Sequence, residues 1–245
     1  VNRPLPVAIL AGGLATRLGP LAQDRPKSLV EVAGEPFIAH QLRLLRREGI
    51  QDVVVCAGHL GGQIEAFAGD GRAFGLMVRY SYDGATLLGT GGALKRALPL
   101  LGEAFFVLYG DSLLPCRYAP VQEAFEASGR LGLMTVYRNE GRWDSSNVEF
   151  DSGEIRVYDK LQRTARMRHI DYGLGVLTSA AVDDLAAELP CDLAAVYQRL
   201  LERGQLAAYE VEERFYEIGS PAGLEETSRY LRGQDGARVE GHAVR

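Results

Sequence analysis

The chain is poor in the residues that staple a fold, span a bilayer or coat a nucleic acid. Cysteine occurs only three times in 245 residues. Cys56, Cys116 and Cys191 lie far apart and in no CxxC pairing, which excludes a disulfide framework and a structural zinc site and leaves reduced, buried thiols as the expectation. The four histidines, His40, His59, His169 and His242, show no metal-ligand spacing and read as structural or surface residues. No apolar run approaches the roughly 20 residues of a membrane-spanning helix. The first residues, VNRPLPVAILAGG, lack the charged segment and cleavage site of a secretory signal, so a cytoplasmic protein free of the membrane is expected. A basic surplus is missing too. The net charge is −5, and no run of Lys and Arg appears, which excludes a general nucleic-acid binder because affinity for the phosphate backbone needs a basic surface. Any phosphate site must be local.

What is present points to an ordinary folded domain. Hydrophobic residues make up 47% and charged residues 24% of the chain, and its 29 glycines imply many tight turns. A chain of this length can form one large α/β domain that buries about three quarters of the surface its unfolded form exposes. Strand-like runs recur at 7–10, 52–57, 77–82, 105–110 and 131–137. Between them, 38–49, 62–69, 91–101 and 121–129 carry apolar residues at helical spacing. Continuous Val, Ile and Leu runs separated by helices predict a doubly wound, mostly parallel mixed sheet covered on both faces. From about Asn147 short strands follow one another through the turn Asp151–Gly153, which predicts a small antiparallel β subregion. Helical patterns at 182–189 and 192–204 come next, then a strand-like 207–213. A last helix has Pro221 near its start and Ser220 or Gly219 as its cap. The tail after Gly233 has no periodicity and reads as loose.

The chemistry concentrates where the first strand ends. Leu10-Ala11-Gly12-Gly13 runs into a loop bearing Arg17 and Lys27, with Pro20 and Pro26 stiffening it. Ligands of open α/β sheets bind at the carboxyl ends of strands, and glycines there let backbone N–H groups approach an anion closely. The spacing is neither GxGxxG nor GxxxxGK[ST], so the dinucleotide and Walker readings both fail. A triphosphate suits such a loop. Asp111 follows the apolar run FFVLYG, where a carboxylate at the strand's end wants a cation.

Taken in order, these segments resemble a family. LAGG-x3-R-L-x2-L-x4-PK-x-L is the amino-terminal signature of the sugar-1-phosphate nucleotidyltransferases. Leu88-Gly89-Thr90-Gly91-Gly92-Ala93, Tyr109-Gly110-Asp111, Tyr158-Asp159-Lys160 and Glu217-Ile218-Gly219-Ser220-Pro221 resemble further family motifs in the family's order. The resemblance covers roughly residues 5 to 232 and implies a Rossmann-like nucleotidyltransferase fold, with 1–232 as one catalytic domain and 233–245 as the loose tail. It also implies a reaction in which an NTP and a sugar 1-phosphate give a nucleotide sugar and pyrophosphate. By this resemblance Leu10, Ala11, Gly12, Gly13, Gly89, Thr90 and Gly91 line the nucleotide site. Arg17 neutralises the leaving pyrophosphate, and Lys27 stabilises charge around the transferred phosphate. Asp111 and Glu217 hold Mg2+, Lys160 grips the sugar phosphate, and Asp159 orients Lys160. Thr90 can also be a helix cap.

Two departures stand out against the family pattern. His169-Ile170-Asp171-Tyr172-Gly173 replaces an Asn-Ala-Gly type sequence, so Asp171, Tyr172 and Gly173 are candidates for the sugar pocket without a sugar preference attached. Glu217 stands where Asp is commoner. The chain's brevity resembles the heptose and mannose 1-phosphate guanylyltransferases and the muramate 1-phosphate uridylyltransferases, with GTP favoured by overall resemblance. It also implies that no β-helix or acyltransferase domain is appended, and a homo-oligomer is compatible with it. Two alternatives remain open. One is a CTP-dependent cytidylyltransferase for phosphocholine or a phosphonate, for which Tyr158, Tyr172 and Trp143 would have to form an aromatic cage. The other is a regulator that binds a nucleotide sugar without turnover.

Overall fold

The run Val7-Ala8-Ile9-Leu10 sends alternate side chains to opposite faces of a strand, and all four are buried, so both faces must be covered. The computed structural model describes residues 3–13, 18–19, 22–183, 185 and 190–240, with side chains up to 233. In it this run is β1 (Val7–Ala11), which lies between β4 (Asp52–Ala57) and β6 (Ala104–Tyr109), parallel to both. Strand β5 (Met77–Tyr82) pairs parallel to β4 at the sheet's edge. On the other side, β11 (His169–Thr178) runs antiparallel to β6 and to β8 (Gly132–Arg138), and β12 (Leu206–Val211) closes that edge parallel to β8. A hairpin of β9 (Val148–Asp151) and β10 (Glu154–Tyr158) hangs from the start of β11, where His169 pairs with Val148. This is the mixed, mostly parallel core with the antiparallel subregion that the patterning predicts.

Helices cover the two faces. Val7, Ile9, Val53 and Val55 pack in one cluster with Ile38, Leu42 and Leu45 of α1 (Phe37–Arg47), Ile64 of α2 (Gly61–Ala68) and Val121 of α4 (Tyr118–Ser128). Ala8, Leu10, Val54 and Cys56 face the opposite cluster, with Leu94 and Ala97 of α3 (Gly89–Leu101) and Val196 and Leu200 of α6 (Leu193–Glu202). The period-2 alternation of the strands thus decides which helix each residue meets. A third, smaller cluster joins Leu18, Val30, Val32 and Phe37 to Leu113 and Ile218, with Leu224 and Leu231 of α7 (Pro221–Glu240) against it. Short ladders complete this corner: β2 (Glu31–Val32) with β3 (Glu35–Pro36), and β7 (Ser112–Leu113) with β13 (Tyr216–Glu217).

Three details differ from the sequence reading. Helix α7 continues past Gly233 to Glu240, so helical backbone replaces the loose tail over that stretch, and residues 241–245 lie outside the described residues. The helical pattern at 182–189 is described only where it meets α5 (Ala180–Asp183). Cys56 and Cys116 are buried, whereas Cys191 is partly exposed. Ser220 does cap α7, accepting the Gly223 N–H at 3.1 Å. Among the described residues, no helix is long and apolar enough to cross a membrane.

Candidate functional site

The carboxyl ends of β1 and β6 lie side by side, since Leu10 pairs with Tyr109 and the Gly110 N–H donates to the Leu10 carbonyl at 2.9 Å. A cleft of about 250 Å³ opens there, lined by Gly12 and Gly13, by Gly89 and Thr90 at the start of α3, and by Tyr109-Gly110-Asp111. Small residues are required at this wall. A Cβ on Gly58 would stand 2.7 Å from the Gly12 carbonyl oxygen and 2.8 Å from Leu87, and one on Gly89, whose φ is +70°, would stand 2.6 Å from the Cys191 carbonyl. Gly58 thus backs Gly12 and Gly89 abuts Cys191, so neither position admits a larger side chain.

Lys27 enters the cleft from a single 3-10 turn, Lys27–Leu29, held by the Leu29 N–H on the Pro26 carbonyl and by buried Val30 behind it. Its Nζ meets Oδ2 of Asp111 at 2.8 Å, and both side chains are largely shielded from water. Asp111 sits in the turn between β6 and β7, and that turn is gripped from two sides. The Ile218 N–H donates to the Asp111 carbonyl at 2.9 Å, while Glu217 pairs with Ser112. From below, Gln41 of α1, only 1% exposed, donates through Nε2 to the carbonyls of Tyr109 at 2.9 Å and Ser112 at 2.8 Å. A buried amide on the apolar face of a helix is costly unless paired, and here it straddles the residue that bears the carboxylate. Replacing Gln41 by Leu leaves two carbonyls without a donor, so a loss of about 2–4 kcal/mol of stability is expected in urea unfolding.

On the far side of Tyr109 stands Lys160. Its Nζ is 3.5 Å from the Tyr109 hydroxyl and 5.5 Å from the ring centroid. Its carboxylate neighbour is Asp171, whose charge it partly offsets. Burial raises the Asp171 pKa from the ordinary carboxylate value, opposed by Lys160 and by hydrogen bonds from the Gly173 N–H and the Tyr158 hydroxyl. A bulge creates this arrangement: the pairing of β11 with β8 shifts register between Asp171 and Gly175, and Gly173 has φ +97°. Bulges of this kind re-aim side chains beside sites.

Most sequence candidates thus converge on the Tyr109-Gly110-Asp111 segment, and five are placed otherwise. Arg17 lies outside the described residues. Asp159 does not hold Lys160; its Oδ1 accepts the N–H groups of Leu161 and Gln162 at 2.7 and 2.8 Å, and these bonds keep its pKa below the usual value. Tyr172 is 2% exposed, packed in the core against Tyr137 and edge-on to Phe215, so its ring is turned away from the sugar side. Gly91 does not line the cleft; it is buried, and its N–H donates to the Cys191 carbonyl at 2.8 Å. Thr90 lines the cleft but is not the cap of its own helix. Its hydroxyl accepts the Leu193 N–H at 2.7 Å and so helps Asp192 cap α6. Nor do the three aromatic residues of a cage surround one space: Trp143 has the Arg214 guanidinium 3.2 Å from its ring centre, and Tyr158 binds Asp171.

Sequence reasoning missed Asp83, Gln41 and Tyr109 itself as site residues. Asp83 lines the cleft, is 6% exposed, and accepts the Leu88 N–H at 3.2 Å. Burial raises its pKa. A lone Asp after a strand carries no such signal, although its place six residues before Gly89 in the same loop could have flagged it. Because its folded pKa is raised, the cost of ionising it in the folded state is absent below the ordinary carboxylate pKa, grows as pH rises from there to the raised folded value, and is complete above it. Asp83→Asn is therefore expected to raise the melting temperature at pH 7 relative to the parent protein, with the gain shrinking as pH falls through the raised folded pKa and gone below the ordinary carboxylate value.

The profile of the nucleotidyl transferase family matches residues 7–232. An N-acetylmuramate alpha-1-phosphate uridylyltransferase of Neisseria meningitidis is 43% identical over 43% of this chain and 46% of its own length. A mannose-1-phosphate guanyltransferase beta-A of Xenopus laevis is 26% identical over 87% of this chain and 61% of its own. The chain thus spans about half to three fifths of the length of these relatives. The fold matches that of a candidate glucose-1-phosphate thymidylyltransferase of Bacillus anthracis with a TM-score of 0.83, over 93% of this chain and 95% of that one, at 20% identity.

Proposed function

Because the chain belongs to the nucleotidyl transferase family, we propose that it joins a nucleoside triphosphate to a sugar 1-phosphate, with GTP and a heptose or mannose 1-phosphate as the favoured pair. One observation carries the reading. Two lysines from different loops, Lys27 and Lys160, reach the same strand end, one at Asp111 and the other at Tyr109. Two anions that must meet repel each other, and cations fixed on both sides of the meeting point lower that cost. The acceptor's phosphate oxygen attacks the α-phosphorus, the bond from that phosphorus to the bridging oxygen of the β-phosphate breaks, and pyrophosphate leaves. The nucleophile is already ionised, so no general base is required.

In this reading Gly12, Gly13 and Gly89 present backbone to the nucleotide, Lys27 holds charge near the α-phosphate, and Lys160 holds the acceptor's phosphate. The donor set also fits magnesium. Asp111 and Glu217 offer hard carboxylate oxygens on paired backbone segments. Among the described residues no three His, Cys, Asp or Glu side chains gather into a metal site, so phosphate oxygens and water would complete the shell. When bound, the cation would neutralise phosphate charge in the transition state. The wider lean toward guanine rests on the guanyltransferase relative, which is similar over most of the chain.

Pyrophosphate release across a grid of NTPs and sugar 1-phosphates with magnesium tests this. Turnover with one pair identifies the substrates, and silence on every pair while a nucleotide sugar raises the melting temperature would point to the regulator instead. Lys160→Ala is expected to raise the KM for sugar 1-phosphate about 30-fold or more while leaving the KM for NTP within about twofold, from the loss of one charge-assisted contact. A selective NTP defect would move Lys160 out of the acceptor site.

A further inference from the structure

A second cavity, of about 570 Å³, lies between the loop joining β8 to β9 and the loop joining β10 to β11, with Glu140, Ser145, Thr164, Arg163 and Arg168 in its wall. The two loops are fastened to each other by backbone. Asn139 and Glu140 donate to the Arg168 carbonyl at 3.0 and 2.8 Å, and Asn147 donates to the His169 carbonyl at 3.0 Å. The β10–β11 loop is also pinned to β9. Glu149 accepts the Thr164 hydroxyl at 2.5 Å and pairs with Arg166 at 3.2 Å. The walls are therefore held before any ligand arrives, which reduces the ordering cost of binding.

The charge in this cavity is unbalanced. Its one carboxylate, Glu140, is already engaged by Arg138 at 3.0 Å and Arg142 at 3.3 Å. Arg166 of the same loop is taken by Glu149. Arg163 and Arg168 have neither an ion pair nor a side-chain hydrogen bond among the described residues. Most other exposed arginines of the chain, among them Arg3, Arg43, Arg72, Arg117 and Arg156, do have carboxylate partners. In a chain of net charge −5, two exposed arginines without a carboxylate partner in the wall of one cavity make a local site for a planar or tetrahedral oxyanion.

We propose that this cavity binds a carboxylate or phosphate group through Arg163 and Arg168. The anion belongs to the far end of an acceptor whose 1-phosphate sits at Lys160, which makes that acceptor an acidic sugar 1-phosphate in place of the unsubstituted mannose or heptose 1-phosphate that resemblance favours. Lys160 and Arg163 are three residues apart in one loop, so their backbones are separated by at most about 10 Å, within the span of a substituted sugar phosphate. The source of the anion rests on the acceptor role proposed for Lys160; the anion site itself does not.

The test uses the full chain, an Arg163→Gln/Arg168→Gln double variant, and Arg156→Gln as a control for loss of an exposed arginine. One arm measures kcat/KM for glucose 1-phosphate, glucose 1,6-bisphosphate and glucuronic acid 1-phosphate at fixed ionic strength. The other follows the melting temperature against inorganic phosphate and malonate. The expected result is a preference of about tenfold or more for the two acceptors with a second acidic group, lost in the double variant while glucose 1-phosphate turnover stays unchanged. A saturable anion-induced shift that disappears in the double variant, with no acceptor preference, would uphold the site and make its ligand a separate anion. Identical behaviour of parent and double variant in both arms would overturn it. If neither these acceptors nor any pair in the wider grid of NTPs and sugar 1-phosphates turns over in the parent protein, the transferase reading fails, and the melting arm still decides the anion site.

Discussion

Asp111→Asn is expected to lower turnover about a thousandfold, the upper end of what removal of one preorganised electrostatic group costs. The substitution keeps the shape of the side chain and removes its charge. Asp111 is the partner of Lys27 at 2.8 Å and follows the end of β6, which pairs with β1, by two residues. An amide cannot neutralise that ammonium, and it is a far weaker ligand for a hard cation. The backbone around it is anchored independently of the side chain, by Gln41 on the Tyr109 and Ser112 carbonyls and by Ile218 on its own carbonyl. The melting temperature should therefore move by only a few degrees while activity collapses. Near-normal activity with saturating magnesium would remove Asp111 from the metal and from the chemistry alike.

Lys27→Ala is expected to lower kcat about a hundredfold or more, with a smaller rise in the KM for NTP. In the proposed reading the ground-state triphosphate would have other contacts along the glycine wall, whereas charge gathering around the α-phosphorus would need a cation held close to it. The 3-10 turn that carries Lys27 is set by Pro26 and by buried Val30, so truncation beyond Cβ should leave the turn in place. The two substitutions are coupled through one ion pair, and their effects on kcat should fall well short of adding in the double variant Lys27→Ala/Asp111→Asn. Full additivity would mean that the pair seen here is dissolved when substrates bind. An unchanged kcat for Lys27→Ala would place the lysine outside the reaction.

How much of this could be read in the chain is best judged from particular elements. The strand at 52–57 and the helix at 38–49 were legible because burial on both sheet faces forces continuous apolar runs, and burial on one helix face forces a 3.6-residue rhythm. The motif order pointed to Lys27, Asp111, Lys160 and Glu217 through the family resemblance; Lys27 and Asp111 were also legible from their own setting, a cation in the glycine-rich loop after the first strand and a carboxylate directly after an apolar run. Gln41 was not legible: within α1 it reads as a polar residue on a surface helix, and only its place beneath the β6–β7 turn shows that it is buried with two carbonyls to satisfy.

The sequence by itself determined the class of fold and the strand ends at which a ligand of such a sheet sits, and its resemblance to the family put forward Lys27, Asp111, Lys160 and Glu217 as the charged residues of the site. The first two follow from local periodicity, which needs no knowledge of distant partners; the last follows from the order of the motifs. Tertiary structure alone decided the roles that depend on direction. The β11 bulge turned Asp171 toward Lys160 and left Tyr172 in the core. The Asp159 carboxylate closed on its own loop. The Thr90 hydroxyl crossed to α6. The first and last of these outcomes turn on a register shift or an angle between elements, to which residue order along the chain is indifferent, whereas the Asp159 turn is local and competes with the ion pair through its own backbone.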